Sequence, residues 1–438
     1  MKEIRIGIIG FGTVGTGVVK LLQRNADAIR RKLGASITIA RIADLDTVTD
    51  RGVTLPPGVL TSNVNEVLND PSIPVVVELI GGYEPARTFL LKGIAQGKHV
   101  VTANKALLAL HGDELFPAAA DKGVSLLFEA AVGGGIPILS AIRGNMAANC
   151  FSSVIGILNG TCNYILTKMT AEGADFGPTL KRAQELGFAE ADPTFDIEGI
   201  DTAHKLALLV SLCFGTRIPF SSVSTEGISS ISSIDIDFAR QFGYRIKLLA
   251  IGKLTERGIE ARVHPTMIPV TSPLADVDGV FNAIRLAGDF IGPVMMYGRG
   301  AGMDATASAV VGDIMEISRA ILAGASPPPH PLSFREEFLT PHPVVPIGDI
   351  VSTFYLRFSA VDRPGVLAKI AGALGAHRIS IESMIQTGRG HSEGDTVPIV
   401  IMTHEAQEEN VRRALAEIDS FDIIREKTNL IRIEENLE

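Results

Sequence analysis

Ile4-Arg5-Ile6-Gly7-Ile8-Ile9-Gly10-Phe11-Gly12-Thr13-Val14-Gly15 is the stretch that decides the fold of this chain. A short β-branched apolar run reads as a buried strand, and a helical pattern follows the glycines over residues 16–33. Strand, Gly-x-Gly-x-x-Gly turn and helix, in that order, form a dinucleotide-binding arrangement. Gly10 permits the tight turn, Gly12 lets backbone amides reach a pyrophosphate at the positive end of the helix, and Gly15 permits close packing of helix on strand. The whole turn, with Phe11, Thr13 and Val14, is therefore a candidate coenzyme site. The same spacing also occurs in ordinary glycine turns; its place between a strand and a helix favours the coenzyme.

Outward from that turn, apolar runs at 37–43, 75–80 and 99–102 alternate with helical stretches such as 85–96, and 124–129 reads as a further strand. Such alternation predicts an α/β, Rossmann-type doubly wound parallel sheet over residues 1–132. At the end of the second run, Asp44 favours the ribose hydroxyls of NAD, whereas Arg41 favours the extra phosphate of NADP. The balance leans to NADP(H), with NAD(H) left open. Asn104-Lys105 follows the 99–102 strand, at the carboxyl edge where ligands bind in such sheets; alone, Lys105 would read as a surface charge.

Residues 133–325 read as a mixed α/β second domain with helices near 158–172, 179–186 and 199–214 and strands that the pattern leaves unclear. Its last helix, near 304–322, is expected to return to the nucleotide domain. Within it, Asp192-Pro193-Thr194-Phe195-Asp196-Ile197-Glu198-Gly199-Ile200-Asp201-Thr202-Ala203-His204-Lys205 is densely acidic and then turns helical. Asp201 and Lys205 stand at i and i+4 and share a helix face. One reading is an exposed ion pair worth little. The other starts from Leu206-Ala207-Leu208-Leu209-Val210, which makes the helix apolar nearly all round and so buried. A buried lysine exchanges a proton with a substrate hydroxyl or carbonyl.

The prolines of Ser326-Pro327-Pro328-Pro329-His330-Pro331, with Pro341, Pro343 and Pro346, make residues 326–350 a linker. Beyond it, residues 351–438 read as strand, helix, strand, strand, helix, strand, a ferredoxin-like unit.

The bulk numbers narrow the function. A chain of 438 residues with 46% hydrophobic and 20% charged residues suits several globular domains. A net charge of −9 gives no general attraction to nucleic acid or to anionic membranes. No secretory leader is read at the head of the chain, and the longest apolar run falls far short of the ~20 residues that span a bilayer. Three cysteines, Cys150, Cys162 and Cys213, suggest reduced thiols in a cytoplasmic protein. No His or Cys pattern supports zinc.

Together the motifs resemble the homoserine dehydrogenases along essentially the whole chain. The resemblance rests on the glycine turn, Val101-Thr102-Ala103-Asn104-Lys105, Phe128-Glu129-Ala130-Ala131-Val132-Gly133-Gly134-Gly135-Ile136-Pro137 and Leu158-Asn159-Gly160-Thr161-Cys162-Asn163-Tyr164-Ile165, with Gly199 to Lys205 and Gly298-Arg299-Gly300-Ala301-Gly302. It implies reversible reduction of L-aspartate 4-semialdehyde to L-homoserine, on the route to threonine and methionine, by a homodimer. It also implies roles. Lys205 would donate a proton to the forming alkoxide, with Asp201 as its partner, and Lys105 would lie between nicotinamide and substrate. Glu190 would bind the substrate amino group, with Gly160, Thr161 and Asp196 beside the substrate; Gly302 and Asn104 would adjoin the coenzyme. The Glu129 carboxylate and the backbone carbonyls of Val132, Gly134 and Ile136 would hold sodium. One departure stands out: the family usually has a proline before Thr306, and this chain has Asp304-Ala305, so the helix start there is expected to differ slightly.

The tail resembles ACT domains through Ala360-Val361-Asp362-Arg363-Pro364-Gly365-Val366-Leu367-Ala368-Lys369-Ile370. That implies an amino-acid effector, threonine, bound at the turn before the first helix, or else a domain that serves only assembly. Two rivals are weighed against the dehydrogenase: a semialdehyde dehydrogenase acting through a cysteine, for which no cysteine has an obvious activating partner, and a non-catalytic sensor of coenzyme and amino acid, which has no need of a proton donor.

Overall fold

The computed structural model describes residues 2–325, 331–386, 396–435 and 437. It divides into two compact units, one of residues 1–158, 201–223 and 281–342, the other of residues 159–200, 224–280 and 343–438.

The first unit holds a six-stranded parallel sheet in the order Leu60–Thr61, Ser36–Ala43, Glu3–Ile9, Val75–Glu78, His99–Thr102, Leu126–Leu127. Chain order 3-2-1-4-5-6 is that of the Rossmann fold, with its crevice at the carboxyl end of the first strand. Alternate residues serve opposite faces, as a strand requires. Ile6, Ile8, Val75 and Val77 join one buried cluster, while Ile9 and Val76 join another. The first cluster also takes in Val310, Ile314 and Ile317 of the helix Met303–Ala323, which comes from far along the chain. The unit also contains the antiparallel strands Phe151–Ile157, Phe281–Gly288 and Gly292–Arg299.

Two readings need correction here. The helix expected over 16–33 is two, Thr13–Arg24 and Ala26–Leu33, broken at Asn25, which closes the first by donating to the Leu21 carbonyl. Asn competes locally for backbone hydrogen bonds and suits such a break. The strand expected over 124–129 shrinks to Leu126–Leu127, because the chain turns into a 3-10 segment, Glu129–Ala131, that aims Glu129 inward.

In the second unit, strands Tyr244–Thr255 and Gly258–Pro269 form a long antiparallel hairpin. Val351–Val361, Ile381–Gln386, Thr396–Thr403 and Ile424–Ile433, with helices Val366–Ala376 and Glu408–Asp419, make the ferredoxin-like ACT fold around one apolar core. Its last strand pairs in parallel with Gly258–Pro269 through Thr266 with Arg432 and Met267 with Ile433, so hairpin and tail share a sheet. The proline run at 326–330 lies outside the described residues, as does Thr387. Among the described residues no helix is long and apolar enough to cross a membrane.

Candidate active site

The glycine turn divides its labour as its spacing suggests. Gly10 has φ +103°, and a Cβ there would stand 2.7 Å from the Leu79 carbonyl carbon; a Cβ on Gly15 would stand 2.3 Å from the Gly10 oxygen. Gly12, at the N-terminus of the Thr13–Arg24 helix, would meet nothing within 4 Å, and no side chain caps that end. Open space before uncapped amides is what a coenzyme pyrophosphate needs, so the turn fits one. Phe11 is buried beneath it, and its N–H donates to the Asp44 carboxylate at 2.5 Å. Arg51, absent from the sequence reading, stacks over the Phe11 ring at 4.8 Å and stands 3.7 Å from Asp44. Arg41 donates to the Ala40 carbonyl at 2.9 Å, with Glu66 3.6 Å away.

Helix Met303–Ala323 starts cleanly despite Asp304-Ala305: Gly302, with φ +110°, precedes it and faces open space. Met303 closes on Gly17 of the first helix, where a Cβ would stand 2.7 Å from its Cγ.

At the end of strand His99–Thr102, a buried carboxylate organises the approach to Lys105. Glu78 accepts from Thr102 Oγ1 at 2.6 Å and from the Ile80 and Gly81 amides. Burial raises its pKa in spite of these bonds. Thr102 in turn receives the Asn104 N–H, and Asn104 caps helix Lys105–Lys122 through Leu107 while its amide group donates to the Gly82 carbonyl at 2.6 Å. Asn104 thus fixes the first helical residue, Lys105. Glu78 was hidden at the end of an apolar run; a carboxylate there was the signal.

Lys105, Asp201 and Lys205 come together. Helix Ile200–Phe214 is buried nearly throughout, as its all-round apolar pattern predicts. Lys205 Nζ donates to Asp201 Oδ2 at 2.6 Å and to the Leu158 carbonyl at 2.7 Å, while Lys105 Nζ stands 3.1 Å from Asp201 Oδ1. One buried carboxylate therefore holds two ammonium groups, and Lys105 keeps 30% of its side chain exposed. The exposed-ion-pair reading of Asp201 and Lys205 falls. Between them, His204 stacks on Phe220 at 4.1 Å, and burial pushes its imidazole down to about 4, which leaves it neutral near pH 7.

Glu129 is buried, and its carboxylate accepts the Leu139 and Ser140 amides at 2.8 and 2.6 Å. Arg143 stands 3.7 Å from it, and Asp313, pushed by burial to about 8, accepts its N–H. Gly133 and Gly134 turn with positive φ, and the Ile136 carbonyl already accepts the Ile138 N–H at 2.8 Å. Among the described residues no three His, Cys, Asp or Glu side chains cluster as metal ligands. A site built chiefly from backbone carbonyl oxygens needs no such cluster.

In the second unit, Asn159 and Thr161 hold Asp196, donating to its two carboxylate oxygens at 2.8 and 3.1 Å. Asn159 also caps helix Gly160–Glu172, a role the sequence reading missed. A Cβ on Gly160 would stand 2.8 Å from the Val280 oxygen. Glu190 lies exposed on the loop after helix Phe176–Glu185, its carbonyl bonded by Gln184. Cys162 and Cys213 are buried, and burial drives the Cys213 thiol far up. Cys162 donates to the Asp196 carbonyl. None of this activates a thiol.

Comparison with known proteins agrees with the geometry. A family model for the homoserine dehydrogenase NAD-binding domain matches residues 10–129, one for homoserine dehydrogenase matches 137–315, and one for the ACT domain matches 354–420. A homoserine dehydrogenase of Pseudomonas aeruginosa is 45% identical, over 99% of this chain and 100% of its own. The crystal structure of one from Thiobacillus denitrificans is 46% identical and superposes with a TM-score of 0.93, covering 99% of both chains. A hyperthermophilic archaeal homoserine dehydrogenase solved with NADPH is 25% identical, with a TM-score of 0.61 over 72% of this chain and 98% of its own.

Proposed function

The chain belongs to the homoserine dehydrogenase family, oxidoreductases acting on a CH–OH group, and from that premise we propose that it interconverts L-homoserine and L-aspartate 4-semialdehyde. The observation that carries this is the Lys105–Asp201–Lys205 cluster on a buried helix. A bound nicotinamide supplies or accepts the hydride. The protein's share is the proton and the charge. In the reductive direction oxygen becomes negative, and the Lys205 ammonium, steered by Asp201 and the Leu158 carbonyl, gives it a proton. Lys105 adds a second positive group at the same carboxylate. Glu190 takes the substrate amino group, and Gly160, Thr161 and Asp196 are its other binding residues.

NADP(H) is the preferred coenzyme, with NAD(H) accepted. Arg41 on the second strand and Arg51 in the loop beyond it support this, since Arg51 offsets the charge of Asp44, and the archaeal relative was solved with NADPH. The turn at residues 10–15, with Asn104 and Gly302, cradles the coenzyme. Sodium bound by Glu129 and the carbonyls of Val132, Gly134 and Ile136 firms the loop by which the chain leaves the coenzyme domain. Functionally, residues 1–132 bind coenzyme, 133–325 carry catalysis and dimerisation, 326–350 link, and 351–438 regulate.

The enzyme works in the cytoplasm on the route to threonine and methionine, as a homodimer, and threonine is its feedback effector. Edge strand Gly292–Arg299 presents Met295 and Tyr297 outward, beside an exposed Phe290, which supports the dimer. At the ACT turn, Gly365, with φ +89°, begins an uncapped helix whose amides suit a carboxylate. The test is reduction of NADP⁺ and NAD⁺ on adding L-homoserine to the purified protein, with and without L-threonine. Reduction inhibited by threonine is expected. No reduction of either coenzyme at alkaline pH, with sodium or potassium present, would sink the activity.

A further inference from the structure

Residues 224–230 run between the ACT domain and the turn that carries Asp196, all within the second unit. On one side Glu226 ends a buried charge cluster. Arg432, fully buried on the last strand, donates from Nη1 and Nη2 to Glu226 at 2.8 Å each, and from Nε and Nη2 to Glu408 at 2.7 and 2.5 Å. Arg412 reaches Glu408 and Glu226 as well, at 2.8 and 2.9 Å. Burial opposes the charge of Glu226, but its arginine partners prevail and hold its carboxyl below the usual range. Forked arginine–carboxylate pairs fix orientation as well as distance, and moving Glu226 would strip a buried arginine of half its partners.

On the other side the same segment grips the Asp196 turn. Gly227 backs so closely onto it that a Cβ would stand 2.4 Å from the Ile197 oxygen and 2.6 Å from the Glu198 Cα. The Ile228 N–H donates to that Ile197 oxygen at 2.8 Å, and Ser229 Oγ donates to Glu198 at 2.9 Å. Ile197 ends the short helix Thr194–Ile197 on which Asp196 sits, and Asp201 follows four residues later. Two sites are coupled when both bias one packed element, and the 224–230 segment is placed to be that element.

We propose that Glu226 and Gly227 are positioning residues that tie the Asp196 turn to the Arg432–Glu408 cluster, so that the state of the ACT domain sets how tightly the substrate is held. The inference rests on the function proposed above for that substrate and for the part Asp196 takes in holding it.

The test compares full-length wild type with Glu226→Gln, Gly227→Ala and Ser229→Ala by hydrogen exchange and by steady-state kinetics. Amides of 194–200 should exchange about tenfold faster in Glu226→Gln while those of the 10–15 turn stay unchanged. The KM for L-homoserine should rise about fivefold in Glu226→Gln and Gly227→Ala, with kcat and the coenzyme KM held within about twofold. Ser229→Ala should move the same quantities less. Unchanged exchange at 194–200 in Glu226→Gln and Gly227→Ala overturns the proposal, as does an equal rise in both KM values. If wild type fails to oxidise L-homoserine, the activity reading falls, and the exchange measurement alone decides the tie. If Glu226→Gln does not fold, Gly227→Ala and Ser229→Ala decide it.

Discussion

Two of the buried ion clusters in this molecule, at Asp201 and at Arg432, are built differently. At Asp201 a single carboxylate faces two lysines, one of them part exposed. At Arg432 two arginines face two carboxylates, and each guanidinium is forked onto its partners. The first is built on lysines, whose ammonium groups can pass a proton; the second on arginines, whose guanidinium groups cannot. A lysine cluster suits exchange with a third party, whereas forked arginine–carboxylate pairs suit holding two pieces of chain together. Burial alone does not tell function from architecture; the chemistry of the cation does.

Substitutions should separate the two. Lys205→Ala should lower turnover about a thousandfold while coenzyme affinity, read by fluorescence titration, barely moves. A matching loss of coenzyme binding would make the lysine structural and erase the contrast. Arg432→Met should leave the buried Glu408, and the part-exposed Glu226, without their main partner and cost about 3 kcal/mol of stability, measured by urea unfolding. Unchanged stability would mean that the arginine cluster is dispensable. A third cation sharpens the comparison from outside: Arg41→Ala should weaken NADPH about tenfold more than NADH, and an equal effect on both would remove Arg41 from coenzyme choice.

The smallest effect concerns His204, beside the lysine cluster. Its folded pKa of about 4 lies below the ordinary 6.5, so unfolded chains take up a proton that the native state refuses. The stability it contributes is present above pH 6.5 and is lost as pH falls towards 4. Thermal melts should show His204→Gln losing less stability than wild type over that window, and parallel losses would count against a neutral buried imidazole.

Much of this could be read in the chain, and the reason lies in range. The glycine turn and the Asp201–Lys205 pair are local patterns, with periods set by strand and helix geometry, and both stand where expected. The ACT strands and helices also come in the expected order, because each has a strong local pattern. Glu226 and Arg432 lie 206 residues apart, and no period connects them. Arg51 and Glu78 were missed for a related reason: their meaning depends on which strands lie side by side. The break at Asn25 was local, yet one asparagine in an otherwise helical run is too weak a mark.

The pairing of Ile424–Ile433 with Gly258–Pro269 has a practical consequence. A chain cut before residue 351 would lose more than its ACT domain. It would bare the strand edge at Thr266 and Met267, both buried, and open edges of that kind recruit other chains. In this protein the ACT domain is also the hem of the hairpin sheet, so removing it invites aggregation.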